Sequence, residues 1–107
     1  MANQPIPVSK ATALMQEYVS YMTNLGVNMS QQTQTVSFDP AILAQWLNNV
    51  LPHTDELRVC LGVYTPGEAD AGRITVILWP YKNGQPATDP TARGTEIEPF
   101  NEGQGQP

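Results

Sequence analysis

Two stretches of alternating hydrophobicity decide the fold: Leu57-Arg58-Val59-Cys60-Leu61-Gly62-Val63-Tyr64 and Arg73-Ile74-Thr75-Val76-Ile77-Leu78-Trp79-Pro80-Tyr81-Lys82. Successive side chains of a β-strand point to opposite faces of its sheet, so each stretch predicts a strand. The residues between them, 65–72, contain Pro66, Gly67 and Gly72 and predict a turn. We therefore predict an antiparallel hairpin with a long, acidic tip.

The two faces of this hairpin differ in chemistry. One face is aliphatic and suits a protein core; it consists of Leu57, Val59, Leu61, Val63, Ile74, Val76 and Leu78. The opposite face, called the aromatic face below, carries Arg58, Cys60, Gly62, Tyr64, Arg73, Ile77, Trp79 and Tyr81. A solvated sheet face normally carries polar side chains, whereas Tyr, Trp and Arg are enriched at binding hot spots. We expect a docking surface here, with the three Tyr and Trp rings as anchors and the two arginines at the rim.

Two amphipathic helices are predicted before the hairpin. Apolar residues recur at helical spacing from Ala11 to Leu25, with Ser9 as the expected N-cap and Gly26 as the stop, so we predict a helix over 10–25. Asp39-Pro40 begins a second helix over 40–50, since Asp caps a helix and Pro suits its first turn.

These elements predict a two-layer α+β domain in the order α-β-α-β-β. The first strand is expected at Thr35–Phe38, and Glu96–Phe100 offers a C-terminal edge strand. Both helices are expected to pack on the aliphatic face of a three- to four-stranded sheet. We expect residues 1–8 to form a leader, 9–85 the domain, and 86–107 a Pro/Gly-rich tail. Its last part, 101–107, is expected to be disordered in isolation, so that order there requires another segment to hold it.

The composition of the chain excludes several classes of protein function. The chain has 107 residues and a net charge of −5, and its 5 Lys and Arg residues cannot form a nucleic-acid footprint. No run approaches the roughly 20 apolar residues of a membrane span, and one cysteine excludes a disulfide scaffold and a Cys-based zinc site. We expect no nucleic-acid or membrane partner, no cofactor and no metal. The absence of a signal-like N-terminus and the single cysteine predict a cytoplasmic location.

The sequence contains none of the usual catalytic motifs, so an enzyme is not expected. His53, close to Asp55 and Glu56, would suit a general base or a divalent-ion site, although a histidine after a helix more often interacts with the helix C-terminus. Cys60 would suit a reactive thiol if the two arginines lie beside it, although a strand cysteine is more often a small apolar residue.

The preferred function is a non-enzymatic interaction or structural module that self-associates or docks another protein through the aromatic face. Only 14% of residues are charged, where about 25% is usual, so electrostatic repulsion opposes association weakly. Two alternatives stay open. The tail would cover the aromatic face through Ile97 and Phe100, or a small ligand or minor enzymatic activity would use the Cys60/Tyr64/Trp79 face or the His53 loop.

The chain resembles a group of small uncharacterised bacterial α+β proteins. The resemblance rests on an N-terminal helix, Val36-Ser37-Phe38-Asp39, a short helix, the two hairpin strands and Asn83-Gly84, and it covers residues 8–85. It implies the fold and no function, so no functional residue carries over. Residues after 86 have no counterpart in that pattern.

Overall fold

The computed structural model describes residues 3–90, 95–101 and 104–106. Its elements are helices α1 (Val8–Asn24) and α2 (Pro40–Val50), a 3-10 turn (Leu51–His53), and strands β1 (Thr35–Ser37), β2 (Glu56–Val63), β3 (Ile74–Lys82), β4 (Gln85–Pro86), β5 (Thr88–Asp89), β6 (Thr95–Glu96) and β7 (Gln104–Gln106). Two helices and a three-stranded antiparallel sheet, in the order β2-β3-β4, confirm the predicted α+β class.

The predicted hairpin is confirmed, and its register separates the two faces as the sequence indicates. Strands β2 and β3 pair antiparallel, with Val59 opposite Leu78 and Arg58 opposite Trp79. Asn83 and Gly84 then have φ values of 54° and 77°, the left-handed pair that a tight hairpin turn requires, and they connect β3 to β4.

Helix α1 ends as predicted but begins differently. Gly26 lies just after the cap with φ 91°, and the Val27 and Gly26 N–H groups donate to the carbonyls of Met22 and Thr23, which is a Schellman motif. The predicted Ser9 N-cap is wrong, because the helix begins at Val8 with Pro7 as its N-cap and without a side-chain cap. Pro7 itself is extended, with ψ 146°, and the helical residues follow directly after it.

Helix α2 has the predicted bounds and the predicted cap. The Asp39 carboxylate accepts hydrogen bonds from the backbone N–H groups of Ala41 and Ile42 at 2.9 and 3.2 Å, and Pro40 occupies the first turn. Two N–H groups that have no partner within the helix are thereby satisfied.

Removing this cap should destabilise the fold measurably. We expect Asp39→Ala to lower the free energy of unfolding by about 1 kcal/mol, because two N–H groups at the helix start lose their acceptor. Urea denaturation followed by circular dichroism measures the change. Asp39→Asn keeps a capping oxygen and should cost much less, and an equal loss in both variants would contradict the capping role.

The C-terminal segment is attached by backbone pairing. Strand β7 pairs with β1, β6 pairs with β5, and Leu78 and Phe100 exchange two N–H···O hydrogen bonds of 2.8 and 2.9 Å. Strand β1 therefore belongs to a separate two-stranded sheet instead of the hairpin sheet. The sequence predicts disorder of 101–107 in isolation; in the structure β7 is held by its pairing with β1, and residues 102, 103 and 107 lie outside the described residues.

The helices cover the aliphatic face only in part. Phe100 pairs with Leu78 and therefore lies on that face, where its ring is 5.5 Å from Phe38 and 5.1 Å from Trp46 of α2. No residue of α1 is buried. Among the described residues, the buried apolar side chains are Met29, Val50, Ala87 and Pro80. The predicted second layer is thus open on the β2 side. None of the described helices is long and apolar enough to cross a membrane.

Candidate interaction surface

The largest apolar side chains of β2 are exposed to solvent. They are Leu57, Val59, Leu61 and Val63, called the aliphatic strip below, with exposed fractions of 42%, 62%, 78% and 59%. Each projects from the face on which the sequence predicts the core. Singly exposed apolar residues are ordinary, but a contiguous row along one strand is typical of a surface that another element covers.

The free edge of the sheet runs along the aliphatic strip. Strand β2 is the last strand of its sheet and, within the described part of the chain, pairs only with β3. Leu78 directs its N–H and carbonyl toward Phe100, so Val59, which is opposite Leu78, directs its own backbone groups away from β3. By the two-residue period of a strand, the backbone groups of the whole strip point to the free edge.

An apolar groove separates the aliphatic strip from α1. Its volume is about 640 Å³, and its walls include Leu14, Met15 and Met22 on the helix and Leu61 and Val76 on the hairpin. Leu14 and Met15 are 54% and 53% exposed, so the apolar stripe of α1 is open as well. Leu61 belongs to both the groove and the strip, so the two apolar surfaces adjoin at this residue.

The register of the hairpin places the predicted residues of the aromatic face on one side, where Tyr81 contacts both Arg58 and Trp79. The guanidinium carbon of Arg58 lies 3.9 Å from the centre of the Tyr81 ring, and the same side chain pairs with Glu56 at 3.0 Å. The rings of Trp79 and Tyr81 meet edge to face with centres 6.3 Å apart. Apart from the exposed Arg58, the predicted residues of this face are half-buried.

Ile97 and Phe100, the two tail residues proposed to cover the aromatic face, lie near α2, and Phe100 lies on the aliphatic face of the hairpin. Phe100 contacts Phe38 and Trp46, and Ile97 lines a groove with Trp46 and Val50. The alternative in which Ile97 and Phe100 cover the aromatic rings is therefore wrong, because pairing with Leu78 directs Phe100 to the opposite face. Asn101, the next residue, contacts the aromatic face: its side-chain oxygen accepts from the Thr75 hydroxyl at 3.1 Å.

The predicted chemical sites are not assembled. The Asp55 carboxylate accepts the Asn83 N–H at 3.1 Å, and the Glu56 carboxylate pairs with Arg58, so both acids near His53 have other partners. Within the described residues, no group of three or more His, Cys, Asp or Glu side chains could hold a metal ion. Cys60 is a free, half-buried thiol opposite Ile77.

No family model, curated protein or solved structure matches this chain.

Gly62 offers a test of the aromatic face. A Cβ atom at this position would meet the Ile77 and Thr75 side chains at 3.5 and 3.8 Å, which is ordinary contact. We expect Gly62→Ala to raise the free energy of unfolding by about 0.5 kcal/mol, because glycine is the less favourable residue inside a strand. Denaturation and a sizing measurement should be made together. We expect association to be unchanged in this variant. Weaker association would indicate that a partner backbone docks against Gly62.

Proposed function

We propose that this protein is a non-enzymatic structural module that self-associates through its hairpin, with the aliphatic strip as the centre of the interface. The observation that carries the proposal is the small core. The described residues bury few apolar side chains, and α1 buries none, although the hydrophobic content of the chain is 40%. Hydrophobic burial is the main favourable contribution to folding, so a second chain that covers the strip would supply burial that this chain lacks.

Two global measures support an open protomer. The accessible surface is 7944 Å², where a compact monomer of this mass exposes roughly 5,900 Å². The radius of gyration is 16.2 Å, where a compact domain of this length has about 13 Å. The excess surface, roughly 2,000 Å², is of the order that each chain loses in a permanent homodimer, about 1,000 to 2,500 Å².

The aliphatic strip suits a permanent interface better than the aromatic face does. Its four side chains are uncharged and open, so covering them removes apolar area from water without separating a charge from its partner. On the aromatic face, docking would have to displace the contacts that Arg58 makes with Tyr81 and Glu56. The charged pair of Arg58 and Glu56 projects from the face of β2 opposite to the aliphatic strip.

Docking of a different protein on the aromatic face is the second candidate. Its specific support is the exposed Arg58, whose guanidinium stacks on the Tyr81 ring that Trp79 contacts edge to face. Arg, Tyr and Trp are the residue types enriched at binding hot spots. Trp79→Ala removes one ring of this cluster. Self-association that is unchanged in this variant would separate the second candidate from the first.

The mass in solution tests the proposed function. We expect sedimentation equilibrium of the full chain to give at least twice the chain mass of 11.7 kDa at micromolar concentration, with dissociation on dilution. Circular dichroism at the same concentrations checks that the chain is folded. A folded particle of one chain mass at every concentration would contradict self-association.

A further inference from the structure

We propose that β2 pairs antiparallel with β2 of a second copy of this chain across a two-fold axis, so that two three-stranded sheets become one continuous six-stranded sheet. This inference rests on the proposed function and adds to it the identity of the partner, the contacting strand and the pairing mode. A two-fold axis uses the same surface on both copies, as most homodimers do.

The outer edge of β2 is suited to accept another strand. The strand is eight residues long and lies at the end of its sheet, and the backbone groups of the aliphatic strip point outward. Natural edge strands are usually protected by charged side chains, especially Lys, by Pro, by a bulge or by short length. The sequence of β2 contains neither Pro nor Lys, and its register with β3 runs without a bulge from Glu56 to Val63. Its two charged side chains, Glu56 and Arg58, lie at one end of the strand and pair with each other.

The outward direction of the backbone groups restricts the register. Hydrogen-bonded positions must face each other in an antiparallel pair, so members of the aliphatic strip must lie opposite one another. The two such registers that pair the most residues of β2 place the two-fold axis at Val59 or at Cys60. Neither register places like charges opposite each other: Arg58 faces Cys60 of the second copy in the first and Gly62 in the second.

Strand pairing would also bring the two aliphatic strips side by side. The strip residues of both copies project from the same face of the joined sheet, next to the groove that α1 borders. Leu61, which is 78% exposed in the single chain, lies one or two residues from the two-fold axis and would pack against β2 of the second copy. The apolar surface described above would thus become the centre of the dimer.

Cys60 serves as a probe because it is the single cysteine of the chain and lies at or next to the axis. With the axis at Cys60, the two residues form a non-hydrogen-bonded pair with Cα atoms about 4.5 Å apart. With the axis at Val59, they are diagonal neighbours about 7 to 8 Å apart. A short bismaleimide reaches both arrangements by alkylating each thiol, and every covalent dimer must contain two Cys60 residues.

The experiment combines crosslinking of the full chain with its mass in solution. We expect a short bismaleimide to convert most of the wild-type protein into covalent dimer. The matched control carries Cys60→Ser and Ser9→Cys, which moves the thiol to the exposed start of α1, and should give little dimer.

Val59→Pro removes one outward N–H and leaves the hydrogen bonds between β2 and β3 intact, and we expect at least a tenfold loss of association. Leu61→Lys is a second variant that places a charge in the aliphatic strip without a proline in the strand, and we expect it to weaken association as well.

The outcomes separate the two proposals. Crosslinking through Cys60 that is lost in Val59→Pro or Leu61→Lys, with the fold retained, supports pairing through β2. A dimeric mass without Cys60 crosslinking, or a folded dimer that both variants leave intact, overturns the strand pairing and leaves self-association standing. A folded chain of one chain mass at all concentrations overturns both.

Discussion

Leu61→Glu should raise the dissociation constant of the self-associated protein by at least about 100-fold, equivalent to roughly 3 kcal/mol. Leu61 is the most exposed member of the aliphatic strip at 78%, so the substitution costs little in a separate chain. In the joined sheet each dimer would hold two of these carboxylates on the same face, next to the apolar side chains of the other copy's strip, and like charges close together across paired strands are destabilising. Each carboxylate would also lose part of its contact with water where the two strips adjoin, and the change acts twice per dimer.

A dilution series in sedimentation velocity measures this effect, with Leu51→Glu as the matched control. Leu51 is 56% exposed and lies in the 3-10 turn after α2, outside the hairpin. The same charge is therefore added to a similarly exposed leucine. Equal weakening in both variants would mean that net charge, and not the aliphatic strip, controls association.

Phe100→Ala should lower the free energy of unfolding by about 2 to 3 kcal/mol. The Phe100 ring contacts Phe38 and Trp46, and its backbone is hydrogen-bonded to Leu78, so one residue connects the C-terminal segment to α2 and to β3. Phe→Ala costs about 3 to 5 kcal/mol in a full core. The half-buried position of this ring places the expected value below that range.

Chemical denaturation measures the loss, and limited proteolysis locates it. Cleavage within residues 95–101 should accelerate in Phe100→Ala, because the backbone pairing with Leu78 loses the side-chain contacts that hold it. Phe100→Leu keeps an apolar side chain and should lose less than half as much. Unchanged stability in the alanine variant would show that this ring does not hold the C-terminal segment in place.

Local patterns in the sequence predict the hairpin and α2 closely. The alternation in 57–64 and 73–82 is strong enough to give the two faces and the pairing of β2 with β3. Asp39-Pro40 and Gly26 are predicted correctly because each acts on its immediate neighbours. Ser9 is not the cap, because the helix starts two residues earlier than predicted, directly after Pro7.

The attachment of the C-terminal segment is not predictable from local patterns. Strand β7 has the sequence Gln-Gly-Gln and pairs with β1, whose residues are about seventy positions earlier in the chain. A short polar strand carries no hydrophobic alternation, and only its distant partner gives it a structure. The Phe100 contact with α2 likewise depends on which face Leu78 presents at a long sequence separation.

The exposure of the aliphatic strip could not be predicted because alternation reports only that one face is apolar. The same pattern arises whether that face is covered by helices of the same chain or by another chain. The sequence therefore predicts complete cover by α1 and α2, whereas the structure leaves Leu61 and its neighbours on β2 open. From the sequence alone, the aromatic face is the favoured binding surface, because its residue types are those of binding hot spots.

Residue-resolved amide hydrogen exchange of the self-associated protein tests the central claim most directly. The N–H groups of the aliphatic strip point to the free edge of β2, whereas those of the residues between them face β3. We predict that, at concentrations where the protein is associated, the Val59 and Leu61 amides are as protected as the Cys60 amide and lose that protection on dilution. Rapid exchange of Val59 and Leu61 at every concentration, beside a protected Cys60, would contradict association through β2.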